Sequence, residues 1–130
     1  MKNFNSCYTY FAIIGDFEPS EATKFFGLTP YKTRERGELK NNPNAVWQFG
    51  FQDKYDSIIN KQLLATITPL LDKVELLNEF RLKYNVKYYL SVVPSVVVDN
   101  LAPCLAPSLE IIDFCSATRT EIDIDLYVLN

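Results

Sequence analysis

Histidine is absent from this chain of 130 residues. It is the side chain best suited to exchanging protons near neutral pH, and it is the commonest protein ligand of transition metals. A chain without histidine has no Ser-His-Asp triad, no Cys-His nucleophile and no histidine-based zinc centre. The absence excludes the commonest catalytic arrangements and favours a binding function.

Glycine and cysteine are scarce as well. The four glycines form no phosphate-binding loop, and neither GxSxG nor HExxH occurs. The three cysteines are odd in number and include no CxxC pair, which argues against a disulfide framework or a structural zinc site. We therefore expect no cofactor and no metal, and we expect Cys7 and Cys115 to act as small buried apolar residues.

Long apolar runs are also missing. No segment approaches the roughly 20 apolar residues that cross a membrane as a helix, and residues 1–6 lack the apolar core of a signal peptide. No linker or low-complexity tract divides the chain, so a single domain over residues 1–130 is expected. These features predict a soluble, cytoplasmic protein.

The charge balance is slightly acidic, with 13 basic and 16 acidic residues. Proteins that bind nucleic acid usually carry an excess of positive charge, so nucleic acid is not the expected partner. A basic protein suits this charge better. The aromatic content of 14% includes eight tyrosines, which is typical both of a β-sheet core and of binding surfaces.

Strand and helix patterns alternate along the whole chain. Strands are predicted at 7–14, 45–51, 86–93 and 121–128, and a polar, hairpin-like segment at 31–44. Helices are predicted at 19–26, 57–71, 74–84 and 108–117. The order predicts an α+β fold: a two-layer sandwich in which helices cover one face of an antiparallel or mixed sheet. The arrangement is ferredoxin-like, β-α-β-β-α-β with an extra helical piece.

Three carboxylates alternate along the last predicted strand: Glu121, Asp123 and Asp125. Alternate residues of a strand share one face, so we expect Ile122, Ile124 and Leu126 to point into the core. Neighbouring carboxylates on such a face lie about 6.5–7 Å apart, which is wide for one small cation. The stripe is interpreted as a solvated acidic face or as part of a partner-binding surface.

Three basic residues show the mirror pattern: Lys32, Arg34 and Arg36. Two interpretations stay open at this point. The basic side chains could pair with the acidic stripe on a neighbouring strand, at about 0.2–1 kcal/mol per pair. Alternatively, the arginines form an anion-binding site beside Gly37, which allows close approach of a ligand to the backbone.

The single tryptophan, Trp47, lies on a predicted strand. One interpretation makes it a core residue, and another places it in an aromatic face on the side of the sheet that helices leave uncovered. That aromatic face would also contain Tyr8, Tyr10 and Tyr89. In the anion-site hypothesis, Arg34, Arg36 and Trp47 converge at one pocket.

Several motifs resemble, in order and spacing, the small bacterial proteins of domain-of-unknown-function family 4279. They are YTYFAIIGD at 8–16, FEPSE at 17–21, FGLTP at 26–30, RERGE at 34–38, Trp47 and IDIDLY at 122–127. The resemblance implies a small α+β fold and a bacterial origin, and it brings no activity with it. By analogy alone, it also marks Arg36, Gly37 and Trp47 as candidate site residues.

Together these features predict a non-catalytic binding module, a protein-interaction protein of immunity-like character that docks a basic partner. The alternative is a regulatory domain that binds an anion or another small molecule, and the least favoured is a metal-dependent enzyme that uses the acidic stripe. Neither nucleic acid nor a membrane is an expected partner, and the oligomeric state is left open. The candidate binding residues are Arg34, Arg36, Gly37, Trp47, Glu121, Asp123 and Asp125.

Overall fold

The computed structural model describes residues 5–50, 58–101 and 104–130. Within these residues the chain forms six strands and four α-helices. The elements, in chain order, are β1 (Ser6–Gly15), α1 (Pro19–Phe26), β2 (Lys32–Arg34), β3 (Ala45–Gly50), α2 (Ile59–Ile67), a 3₁₀ segment (Thr68–Lys73), α3 (Val74–Tyr84), β4 (Lys87–Val97), α4 (Leu109–Thr118), β5 (Thr120–Ile124) and β6 (Tyr127–Leu129). Residue 51 of the strand predicted at 45–51 and residue 57 of the helix predicted at 57–71 lie outside the described residues.

The strands form one mixed sheet in the order β2-β3-β1-β4-β5, and β6 pairs with β4 beyond the end of β5. The pairs among β2, β3, β1 and β4 are antiparallel, whereas β5 and β6 run parallel to β4. The order β4-β1-β3-β2 is that of a ferredoxin-like sheet, to which α4, β5 and β6 add a further edge. The predicted α+β sandwich is confirmed.

All four described helices lie on the same face of the sheet. One contact from each helix to a strand residue demonstrates this: Phe26 with Trp47, Thr66 with Thr9, Leu77 with Tyr88, and Phe114 with Phe11. The strand residues that face the helices form the core, with Phe11, Ile13 and Trp47 fully buried. The other face of the sheet has no described helix on it, and we call it the open face.

Local signals in the sequence explain several helix ends. Pro19 opens α1, where its fixed φ fits the first helical position, and Gly27 ends it with a left-handed φ of 65°. Pro69 lacks an N–H, and α2 changes there into the 3₁₀ segment. Asn85 ends α3 with a left-handed φ of 53°, as the sequence predicts.

Strand β4 continues through Pro94 to Val97, whereas the sequence predicts that Pro94 interrupts the strand and leaves open whether residues 96–98 extend it. On one side Pro94 pairs with Cys7 of β1. The other side of Pro94 faces the gap between β5 and β6. Proline has no N–H, so Pro94 donates no hydrogen bond to the chain on that side. The proline therefore interrupts the neighbouring strand rather than its own.

The predicted burial of the apolar side of the last strand is wrong. Ile122, Ile124 and Leu126 are 37%, 51% and 54% exposed. The reason is topological, because β5 is the last strand of the sheet and α4 covers only part of it. Leu90, which pairs with Ile122 one strand further in, is fully buried.

Candidate functional site

The open face of the sheet carries most of the polar side chains that the strands present, together with several tyrosines. Alternation along each strand, fixed by the observed pairing, decides which residues lie there. They include Tyr8, Tyr10, Ala12 and Ile14 on β1, Gln48 on β3, Tyr89 and Ser91 on β4, and Glu121 and Asp123 on β5. The predicted tyrosine surface therefore lies on the face without described helices.

A shallow cleft of about 240 Å³ lies near the middle of this face. It forms because two small residues stand beside large ones: Ala12 pairs with Tyr89, and Ser91 pairs with Tyr10. The lining consists of Tyr10, Ala12, Ile14, Gln48, Tyr89, Ser91 and Asp123. An apolar floor with phenol, amide, hydroxyl and carboxylate groups around it suits the insertion of a basic side chain.

The tyrosines on this face contact one another and the acidic stripe. The rings of Tyr8 and Tyr10 are stacked, with centroids 6.3 Å apart. The phenol of Tyr127 donates a hydrogen bond of 3.2 Å to the Asp125 carboxylate. This bond and the charge of Asp125 raise the pKa of the Tyr127 phenol, so the phenol stays a donor at neutral pH.

The acidic stripe lies along the outer edge of the open face. Glu121 and Asp123 pair with Tyr89 and Ser91 on β4, and Asp125 follows directly after β5. All three are exposed. Within residues 5–50, 58–101 and 104–130, no group of three or more His, Cys, Asp or Glu side chains is arranged to hold a metal ion.

Lys32 and Arg34 of the basic stripe lie at the opposite edge of the sheet, on β2. Four strand spacings separate β2 from β5, which is about 19 Å at about 4.8 Å per spacing. The two stripes therefore do not pair, and the predicted cross-strand pairing is wrong. Instead, Arg36 lies beyond β2 and makes ion pairs with Asp16 at 2.8 Å and Glu18 at 3.3 Å.

A second concavity, of about 380 Å³, surrounds Arg36 and Gly37. Hydrogen bonding to Asp16, followed by the charges of Asp16 and Glu18, raises the pKa of Arg36. The Gly37 N–H already donates to the Pro43 carbonyl at 3.0 Å. Because the guanidinium and the glycine N–H both have protein partners, this concavity is poorly prepared to bind an anion.

Arg34 and Trp47 lie on opposite faces of the sheet. Arg34 pairs with Val46 in the register of β2 and β3, whereas Trp47 pairs with Thr33. The Arg34 guanidinium donates to the Asn44 carbonyl at 3.1 Å. The predicted convergence of Arg34, Arg36 and Trp47 is therefore wrong.

Trp47 is a core residue. Its side chain is fully buried, and its indole N–H donates to the Thr23 hydroxyl at 3.0 Å. Its ring lies 6.0 Å from that of Phe26 and is stacked on that of Phe49 at 5.9 Å. The aromatic surface on the open face thus consists of tyrosines and does not include Trp47.

A third concavity, of about 490 Å³, lies at the outer edge between α4 and β5. The sequence does not predict this concavity, because the alternation along the last strand predicts that its isoleucines lie in the core. The lining is Ile112, Cys115, Ser116, Arg119, Thr120, Glu121 and Ile122. Burial raises the pKa of the Cys115 thiol to about 11, so this thiol is protonated and a poor nucleophile at neutral pH.

Comparisons with known proteins give one finding and two negative results. A family model described as a domain of unknown function, DUF4279, matches residues 5–129. The searches of curated proteins and of solved structures found no match. In the part of the chain that the structure describes, no helix is long and apolar enough to cross a membrane.

Proposed function

This chain belongs to the DUF4279 family over nearly its whole length, and we propose that it is a non-catalytic protein-interaction module that docks a basic protein on the open face. The description of the family assigns no activity. The proposal therefore rests on the surface of this chain, and one observation carries it. A tyrosine-lined cleft and an exposed acidic stripe lie together on the sheet face that no described helix covers.

The tyrosines supply the contact area. Tyrosine is enriched in protein interfaces because its ring buries apolar area while its hydroxyl keeps a hydrogen bond. Tyr10 and Tyr89 both line the cleft, and Tyr127 is 51% exposed on the same face. A partner side chain that enters the cleft would meet these two phenol rings and the Asp123 carboxylate.

The acidic stripe supplies the preference for a basic partner. Glu121, Asp123 and Asp125 form no ion pair with any residue in the described part of the chain. Exposed charges of one sign accelerate association with a partner of opposite charge and penalise partners of like charge. Neutralising a basic bacterial toxin, as an immunity protein does, is one function that needs such a surface.

The proposal places the protein in a bacterial cytoplasm. Its three cysteines are thiols, two of them buried, which fits a reducing compartment. The family resemblance supports the proposed bacterial origin. Binding of a small anion at Arg36 is the second candidate, because that residue borders a concavity of about 380 Å³, although an anion there would have to compete with Asp16 and Glu18 for the guanidinium.

Two parallel experiments separate these candidates. We expect the immobilised protein to retain a basic protein from a bacterial lysate at low salt and to release it as the ionic strength rises, because exposed charges are screened. We expect inorganic phosphate and phosphosugars to leave the melting temperature unchanged. An anion that bound here would stabilise the fold by about 2.7 kcal/mol at a hundredfold excess over its dissociation constant.

The opposite results would contradict the proposal. Phosphate or a phosphosugar would raise the melting temperature, and the Arg34→Ala/Arg36→Ala variant would lose this increase. The immobilised protein would also show no salt-sensitive retention of a basic protein. That combination would move the function to the Arg36 concavity.

A further inference from the structure

The outer edge of the sheet is one nearly continuous strand. Val92 of β4 pairs with Ile124 of β5, and Ser95 of β4 pairs with Tyr127 of β6. Both segments are three residues longer at the second pair, so the register is the same on the two sides of the gap between β5 and β6. The Asp125 N–H donates to the Val92 carbonyl at 2.8 Å within that gap. Residues 120–129 therefore form a single edge beside β4.

The backbone of this edge has unused hydrogen-bonding groups. In a parallel ladder, bonding residues alternate along the strand. Because Asp125 bonds to β4, so do Glu121 and Asp123, whereas the N–H and C=O groups of Ile122 and Ile124 point outwards. In the described part of the chain, β5 has no strand on that outer side. Such an edge is a template for another strand.

The helix side of the edge is apolar and exposed. Ile122, Ile124 and Val128 are 37%, 51% and 63% exposed, and Ile112 on the neighbouring helix α4 is 45% exposed. The concavity of about 490 Å³ lies between Ile112 and Ile122. A strand added beside β5 would lay its apolar side chains across these groups and shield them from water.

The other side of the same edge is acidic, since Glu121, Asp123 and Asp125 lie on the open face. A strand that fits both sides must therefore alternate apolar and basic residues. We propose that residues 120–129 bind an extended segment of a partner protein, in which basic and apolar side chains alternate, as an additional strand of the sheet. This inference rests on the proposed function and specifies how the basic partner is held.

Charge argues against a second copy of this chain at the edge. Two antiparallel β5 strands would bring the carboxylates of the stripe opposite one another, and like charges directly opposite destabilise a strand pair. Pairing of β5 with the basic strand β2 of another copy would involve only the three residues Lys32–Arg34, and such head-to-tail pairing leads to a ring or a filament rather than a closed dimer.

The test uses the full chain and short synthetic peptides. The probe alternates lysine and valine, and the control has the same composition in an order that cannot place all lysines on one side of a strand. We expect the alternating peptide to bind at least tenfold more tightly. Equal affinity of the two peptides would overturn the inference, because charge alone would then explain the binding.

Methylation of the peptide backbone tests the hydrogen bonds. In a bound strand, the N–H groups of every second residue point towards the neighbouring strand, and those of the residues between point away from it. N-methylation of the first set should therefore abolish binding, whereas N-methylation of the second set should leave it unchanged. With the unmethylated probe bound, the amide hydrogens of Ile122 and Ile124 should exchange at least tenfold more slowly. Unchanged exchange at both would overturn strand addition.

A pair of variants at one position completes the test. Ile124→Pro removes an outward N–H that β4 does not use, so the fold should survive as proline does on edge strands, while probe binding falls at least tenfold below that of Ile124→Ala. If Ile124→Pro and Ile124→Ala bind the probe alike, the edge is not the site. Retention of a basic protein through the open face would then still support the proposed function.

Discussion

Replacing Trp47 by alanine is expected to lower the free energy of unfolding by about 3–5 kcal/mol, the range found when large aromatic side chains are removed from a core. The side chain is fully buried and contacts the rings of Phe26 and Phe49. Its removal would leave a cavity and would strip the Thr23 hydroxyl of its indole partner. This is a large share of the roughly 5–15 kcal/mol that stabilises a domain.

Denaturant unfolding followed by far-UV circular dichroism measures this loss without relying on the tryptophan itself. Trp47→Phe should be less damaging, because it keeps most of the apolar contact and loses mainly the hydrogen bond, worth about 0.5–1.5 kcal/mol. Leu82, which is 74% exposed on α3, provides the control, since Leu82→Ala should stay within about 0.5 kcal/mol. A loss below about 1 kcal/mol for Trp47→Ala would contradict the core assignment.

Reversing the acidic stripe is expected to weaken binding of the basic partner by at least about 100-fold, equivalent to about 2.7 kcal/mol. The variant is Glu121→Lys/Asp123→Lys/Asp125→Lys. All three side chains are exposed, so the fold should remain stable while attraction turns into repulsion. The dissociation constant of the partner captured at low salt measures the effect, and circular dichroism checks the fold.

A matched control changes the net charge equally at other places. Glu35, Glu38 and Glu79 are exposed, two in the loop after β2 and one on helix α3. The variant Glu35→Lys/Glu38→Lys/Glu79→Lys should retain binding within a few-fold. If both triple variants weaken binding equally, the partner responds to net charge, and the stripe is not the docking site.

Local patterns in the sequence predicted the elements and the fold class well. The apolar segment that became β1, the proline that opens α1 and the asparagine that ends α3 act through their own chain neighbours. Such effects are readable from sequence because the backbone preferences of these residues hold in any fold. The ferredoxin-like order followed from the succession of elements.

The position of a strand within the sheet cannot be predicted from local patterns in the same way. Alternation shows that a strand has two different sides, but it does not show whether the strand is central or at an edge. Alternation therefore wrongly predicts that the apolar side of β5 lies in the core. The pairing of the basic and acidic stripes failed for the same reason, because only the sheet order reveals that β2 and β5 lie at opposite edges.

Trp47 shows how one register decides between two roles. A tryptophan on a strand faces the helices or the open side according to its alternation with its neighbours. The pairing of Trp47 with Ile13, which is fully buried, places it on the helix side. Sequence alone left both roles open, and with them the composition of the aromatic surface.

Hydroxyl-radical footprinting of the protein with and without its captured basic partner tests the role of the open face most directly. We predict that Tyr10, Tyr89 and Tyr127 become protected from oxidation in the complex, while Leu82 on the helix side stays as reactive as in the free protein. Protection of Leu82 with unchanged reactivity of the three tyrosines would contradict docking on the open face.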